Sequence, residues 1–137
     1  MTTVKTTTAQ IDLFLASKAF AVAGASVDRA KYGNKVLRAY QQKGRKVVPV
    51  HPREKSIEGL ATVASVLELP AEVQALSIVT PPAVTLQVIE AAAKIGIKNV
   101  WMQPGAESPT AIDAALAHGM NVIADGTCVL VVLKFHE

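Results

Sequence analysis

The stretch richest in groups that could do chemistry is Gly24-Ala25-Ser26-Val27-Asp28-Arg29-Ala30-Lys31-Tyr32-Gly33-Asn34, which follows a strand-like run from Phe20 to Gly24 and leads into a helix-like segment. Gly24 lets a ligand approach the backbone, Ser26 supplies a hydroxyl and amides, and Lys31 adds positive charge. The helix that opens at Tyr32, Gly33 and Asn34 presents free N–H groups and the positive end of its dipole, a combination that holds phosphate. The spacing is not the dinucleotide fingerprint G-x-G-x-x-G, because the second and third glycines are missing and the loop is longer. An ordinary turn with solvated charges fits the same residues.

A second cluster, His51-Pro52-Arg53-Glu54-Lys55, ends another β-branched run. A site for NAD places Asp or Glu near this strand end to hold the ribose diol, so His51, Pro52 and Arg53 disfavour it. Arg53 and Lys55 suit a phosphorylated ribose, as in CoA or NADP, or else a solvated surface turn. Thr80-Pro81-Pro82 and Gln103-Pro104-Gly105-Ala106-Glu107 bring backbone groups and proline-fixed shapes that suit a flat base or an extended arm, although prolines also simply start helices. Cys128, the only cysteine, has just Lys134 as a nearby positive charge in sequence, and is expected to be a largely buried, slow-reacting thiol and not a nucleophile. There is no G-x-x-x-x-G-K-[ST], H-E-x-x-H or G-x-S-x-G run, and His51, His118 and His136 lack a metal-ligand spacing. These residues give no catalytic set.

The elements that must position these groups follow an α-then-β rhythm. Asn34 to Lys43 ends at Gly44 before Lys46 to Val50; Pro82 to Ile95 ends at Gly96 before Lys98 to Met102; Pro109 to His118 ends at Gly119 before Asn121 to Ala124. Glycine just past a helix supplies the left-handed residue that closes it. Phe20 to Gly24 and Leu76 to Thr80 are mainly apolar, as strands covered on both faces are. Ala9 to Ser17 predicts a leading helix after a flexible tail over residues 1–8, Thr62 to Leu69 a shorter helical stretch, and Val129 to Phe135 has strong β propensity with its state open. The pattern predicts one α/β domain over residues 9–137, a doubly wound, mainly parallel sheet with helices on both faces and a ligand crevice at the strands' carboxyl ends.

Composition agrees with one packed domain: 137 residues, half of them hydrophobic and 18% charged, exclude a disordered chain. The longest apolar run, Cys128 to Leu133, is far too short to cross a bilayer, and the polar start does not resemble a secretory signal, so a cytoplasmic location and no membrane are expected. Net charge is +3 but uneven: residues 1–55 hold 11 Lys/Arg against 3 Asp/Glu, a net +8, and residues 56–137 hold 3 against 8, a net −5. A basic half attracts either nucleic acid or one phosphate-rich small molecule. The sparse aromatics form no stacking set, which weighs against nucleic acid.

Taken in order, Phe20-Ala21-Val22-Ala23-Gly24-Ala25-Ser26, Tyr32-Gly33-Asn34-Lys35-Val36-Leu37, Val47-Val48-Pro49-Val50-His51-Pro52, Ile57-Glu58-Gly59, Thr80-Pro81-Pro82 and Val100-Trp101-Met102-Gln103-Pro104-Gly105-Ala106-Glu107 resemble the small stand-alone CoA-binding proteins of the YccU-like family. These are related to the N-terminal domain of the succinyl-CoA synthetase alpha subunit. The resemblance runs from about Ile11 to Cys128. It implies a Rossmann-like fold holding CoA across the strand ends, with the Gly24 to Ser26 loop near the phosphates. His51 departs from the Asn that usually precedes the proline. The larger synthetases add a domain bearing a phosphorylated histidine and a separate ATP-grasp subunit, and this chain ends where that domain would begin. The expectation is therefore binding of CoA or an acyl-CoA without catalysis, alone or as a homo-oligomer. The alternatives are an acid-thiol ligase subunit with an ATP-grasp partner, and an NADP-type oxidoreductase.

Overall fold

The computed structural model describes residues 5–137. In chain order the elements are α1 (Thr8–Leu15), β1 (Ala19–Ala23), α2 (Tyr32–Gln42), β2 (Val47–Val50), the short strands β3 (Ser56–Ile57) and β4 (Leu60–Ala61), β5 (Val73–Ile78), α3 (Pro82–Lys94), β6 (Asn99–Met102), α4 (Pro109–Ala117), β7 (Asn121–Ile123) and α5 (Val129–Val132). The main sheet runs β2-β1-β5-β6-β7, all parallel. Counted among these five strands the order is 2-1-3-4-5, so the winding reverses between β1 and β5. Crevices in open α/β sheets form at that switch point.

Alternation along each strand divides the core in two. Phe20 and Val22, Ala75, Trp101 and Ile123 pack with Phe14 of α1, Val36, Leu37 and Tyr40 of α2, and Val129 and Leu133 at α5. Ala19, Ala21 and Ala23, Leu76 and Ile78, and Val100 and Met102 face Ile89 and Ala92 of α3 and Ala111, Ile112 and Ala115 of α4. The expected doubly wound sheet with helices on both faces is thus the observed fold. Among the described residues no helix is long and apolar enough to cross a membrane.

Four local expectations change. Residues 1–4 of the expected tail lie outside the described residues, while Thr7 caps α1 through a reciprocal capping box with Gln10, so the helix starts at Thr8 rather than Ala9. Thr62 to Leu69 is not a helix: Val63 forms a parallel bridge with Val50, and only a single 3-10 turn forms at Val66–Glu68 before Pro70. The hairpin β3–β4 is new, closed by Glu58 and Gly59 with φ of 51° and 78°. The open segment at Val129 forms the short helix α5, because Val129 and Leu133, four apart, bury against the α2 face and override β propensity.

Candidate functional site

At the carboxyl ends of β1, β2 and β5 lies a cavity of about 590 Å³. Its walls are the β1 end at Ala23 to Ala25, the β2 end at Val50 to Pro52, the Ala64 to Val66 segment, Thr80, and one stripe of α3. That stripe is Val84, Gln87, Val88 and Ala91, the i, i+3, i+4, i+7 pattern of a helix face turned to the cavity, with Val88 and Ala91 also packed against the edge of the core. The volume is that of a small-molecule pocket, and the wall is mainly apolar, with His51, Ser65, Thr80 and Gln87 as its polar side chains.

Two close backbone approaches shape the mouth. Gly24 has φ of 92°, and a Cβ there would lie 2.4 Å from the Val79 carbonyl oxygen. Gly33 allows α2 to press against the loop, for a Cβ there would lie 2.0 Å from the Gly24 carbonyl oxygen. Gly33 therefore performs the helix-packing task of the fingerprint's third glycine, from a longer loop. The first turn of α2 has no side-chain cap; the Asn34 N–H turns back to the Lys31 carbonyl at 3.1 Å, and the dipole and the N–H groups of Tyr32 and Gly33 remain beside Gly24.

His51 supports the β2 end. Its Nδ1 accepts hydrogen bonds from the backbone N–H of Arg53 and of Glu54, both at 3.0 Å. This network assigns a neutral ring with the proton on Nε2. An Asn side chain closes the same kind of turn, so the departure to His retains the geometry. Arg53 and Lys55 project from this turn as exposed residues, outside the cavity wall.

Not every predicted site residue converges here. Gly24, Ala25, His51, Pro52 and Thr80 line the cavity; Ser26 is half-buried on the same loop, and Lys31 is an exposed N-terminal flank of α2. Asn34 is wholly buried behind the loop, where its amide donates to the Ser26 carbonyl at 2.9 Å, so it acts on the loop and does not face the cavity. Pro81 and Pro82 start α3, and Pro82 borders a separate cavity of about 340 Å³ with Ser108. Gly105 lies apart with Glu107 and Asp125 around a third cavity of about 350 Å³.

Gln103 is also buried, and it organises the β6 end. Its Oε1 accepts from the Val129 amide at 3.0 Å and from the Tyr32 hydroxyl at 3.2 Å, while its Nε2 has no partner among the described residues. The Tyr32 hydroxyl also lies 2.6 Å from Cys128 Sγ. Burial, reinforced by that thiol, raises the Tyr32 pKa and keeps the phenol protonated. Cys128 is half-buried and hydrogen-bonded, more open than expected.

Sequence reasoning missed Ala64 to Val66 and the α3 stripe. The stripe was readable as a second periodic face of α3, but the Ala64 to Val66 wall has no periodic signal. Among the described residues no cluster of His, Cys, Asp and Glu could hold a metal ion. The glycine-shaped mouth, the uncapped α2 end and the apolar cavity together fit a ligand with both phosphate and apolar parts.

Comparisons with known proteins agree. A conserved hypothetical protein of Pyrococcus furiosus is similar in structure, with a TM-score of 0.80 at 41% identity, covering 84% of this chain and 98% of that one. The alpha subunit of the ADP-forming acetate–CoA ligase II of Pyrococcus furiosus is 38% identical over 93 residues, which are 66% of this chain. The match spans only 20% of that subunit's length. The apo form of the dinucleotide-forming acetyl-coenzyme A synthetase 1 of Candidatus Korarchaeum cryptofilum matches with a TM-score of 0.71 at 28% identity, over 83% of this chain and 27% of that one. The family model described as CoA binding domain matches residues 18–134, and the chain belongs to that CoA-binding domain family.

Proposed function

We propose that this protein binds CoA or an acyl-CoA at the carboxyl ends of β1, β2 and β5 and performs no catalysis of its own. The observation that carries the reading is the 590 Å³ cavity opening beside the Gly24 to Ser26 loop and the uncapped end of α2. In this reading the loop amides and Lys31 take the pyrophosphate, the apolar wall with Val84 and Val88 takes the adenine or the pantetheine arm, and Arg53 or Lys55 meets the 3′-phosphate. His51 is not a general base here, because the Nδ1 lone pair already accepts from two backbone amides and Nε2 holds the proton.

Isothermal titration of purified protein tests it: CoA binds more tightly than NAD, and no detectable CoA heat at high micromolar protein would refute the reading. Dephospho-CoA, titrated against Arg53→Ala and Lys55→Ala, identifies the residue that meets the 3′-phosphate, since only that variant treats the two ligands alike.

The likeness to the ADP-forming ligase subunit favours a second reading, an acid-thiol ligase subunit that receives its phosphoryl-transfer groups from an ATP-grasp partner. A pull-down that returns an ATP-grasp protein supports this reading, and a lone monomer or homo-oligomer supports the binder.

A further inference from the structure

We propose that Glu58, in the β3–β4 turn, is a positioning residue that fixes the phosphate-facing loop through Asn34. The proposal rests on the CoA-binding reading for its ligand, but its geometry is independent of it. Glu58 has φ of 51°, a left-handed conformation uncommon for a residue with this side chain. A two-residue turn of this type favours Asn, Asp or Gly at that position, so the backbone alone gives no reason for Glu. What the conformation achieves is placement of the carboxylate under the loop.

Glu58 Oε2 accepts from Asn34 Nδ2 at 3.1 Å and pairs with Arg29 Nε at 3.4 Å. Asn34 Nδ2 also donates to the Ser26 carbonyl at 2.9 Å, and Asn34 Oδ1 accepts from Arg38 Nε at 2.7 Å. Arg38, itself buried, donates from its Nη2 to the Arg29 carbonyl at 3.0 Å. The Ser26 and Arg29 carbonyls are therefore both held inward by one network, and Gln41 Nε2 secures it by donating to the Glu58 carbonyl at 3.1 Å.

The consequence for binding follows from peptide geometry. In a trans peptide the C=O and the next residue's N–H point in opposite directions. With the Ser26 carbonyl pinned to Asn34, the Val27 N–H must point away from Asn34, out of the loop's inner side. Val27 is half exposed and its N–H makes no hydrogen bond among the described residues, so that donor is left for a ligand. Without the Glu58 carboxylate, Asn34 Nδ2 loses its charged acceptor and Arg29 loses its partner. The peptide that orients the Val27 donor is then less firmly held.

The test sets stability against binding. Glu58→Gly removes the carboxylate and relieves the left-handed strain, so its unfolding midpoint should equal or exceed the parent's. Its CoA affinity should nonetheless fall about tenfold, the scale of one lost hydrogen bond to a charged group. In the ligand-free protein its Val27 N–H vector should be more mobile than the parent's, read as a lower ¹⁵N order parameter. Glu58→Gln keeps an acceptor for Asn34 and should stay within about threefold of the parent, given the small worth of an exposed ion pair such as Arg29's. Glu58→Asn, which tolerates the turn but is one methylene shorter, should behave like Glu58→Gly and serves if that variant folds poorly. If the Gly and Asn variants keep parental CoA affinity and a parental Val27 order parameter, Glu58 is only a surface ion pair and the proposal is overturned. If the parent itself fails to bind CoA, the ligand reading fails, while the Val27 order parameter still decides the role of Glu58.

Discussion

Gly33 sits where a single methyl group decides whether α2 can reach the loop. Its nearest neighbour is backbone, the Gly24 carbonyl, which cannot swing aside as a flexible side chain would. Gly33→Ala should therefore cost about 1–3 kcal/mol in urea unfolding, as overpacking does. His51 makes a contrasting case, because its task is hydrogen bonding to two exposed amides and not filling space. His51→Asn should retain the turn and CoA affinity, whereas His51→Ala should cost about 0.5–1.5 kcal/mol of binding by calorimetry.

Asp125 gives a pH signature. Burial pushes its carboxyl up, but hydrogen bonds from the Thr127 hydroxyl, the Thr6 amide and the Thr127 amide outweigh this and hold its pKa at about 2, below the ordinary 3.8. A carboxyl depressed in the folded state contributes stability above its unfolded pKa and loses it as pH falls through the folded value. Thermal stability should thus fall as pH drops from about 4 to about 2 in the parent, and less steeply in Asp125→Asn. Such residue roles were only partly legible: Gly24 announced itself by composition and position. The pinning of Ser26 by Asn34 depends on Glu58, 24 residues away, and no spacing rule contains that pair.

Among the elements, α3 carries two faces at once. Ile89 and Ala92 bury against the sheet, while Val84, Gln87, Val88 and Ala91 line the cavity. Ala91→Phe should fill part of that cavity, lowering CoA affinity on the order of tenfold while circular dichroism stays parental. The helices and main strands could be read from sequence because Gly44, Gly96 and Gly119 each close a helix with positive φ just before a buried strand. The 56–69 region could not. Its strands are two residues long, its turn lacks Asn-Gly or Asp-Gly, and Val63 takes extended structure only because Val50 offers a pairing edge.

For the whole molecule, the chain's charge asymmetry acquires a place. The basic first 55 residues build α1, β1, α2 and β2, with β1 meeting β5 at the switch point, and the acidic remainder builds the elements from β3 onward. The central claim is that this switch-point cavity is where CoA binds. It is tested most directly by titrating CoA into ¹⁵N-labelled protein and mapping the backbone amide shifts. The account predicts the largest shifts at Gly24, Ser26, Val27, Ser65, Gln87 and Val88, with Gly105, Glu107 and Asp125 little changed. Shifts concentrated at Gly105, Glu107 and Asp125, or none at saturating CoA, would contradict it.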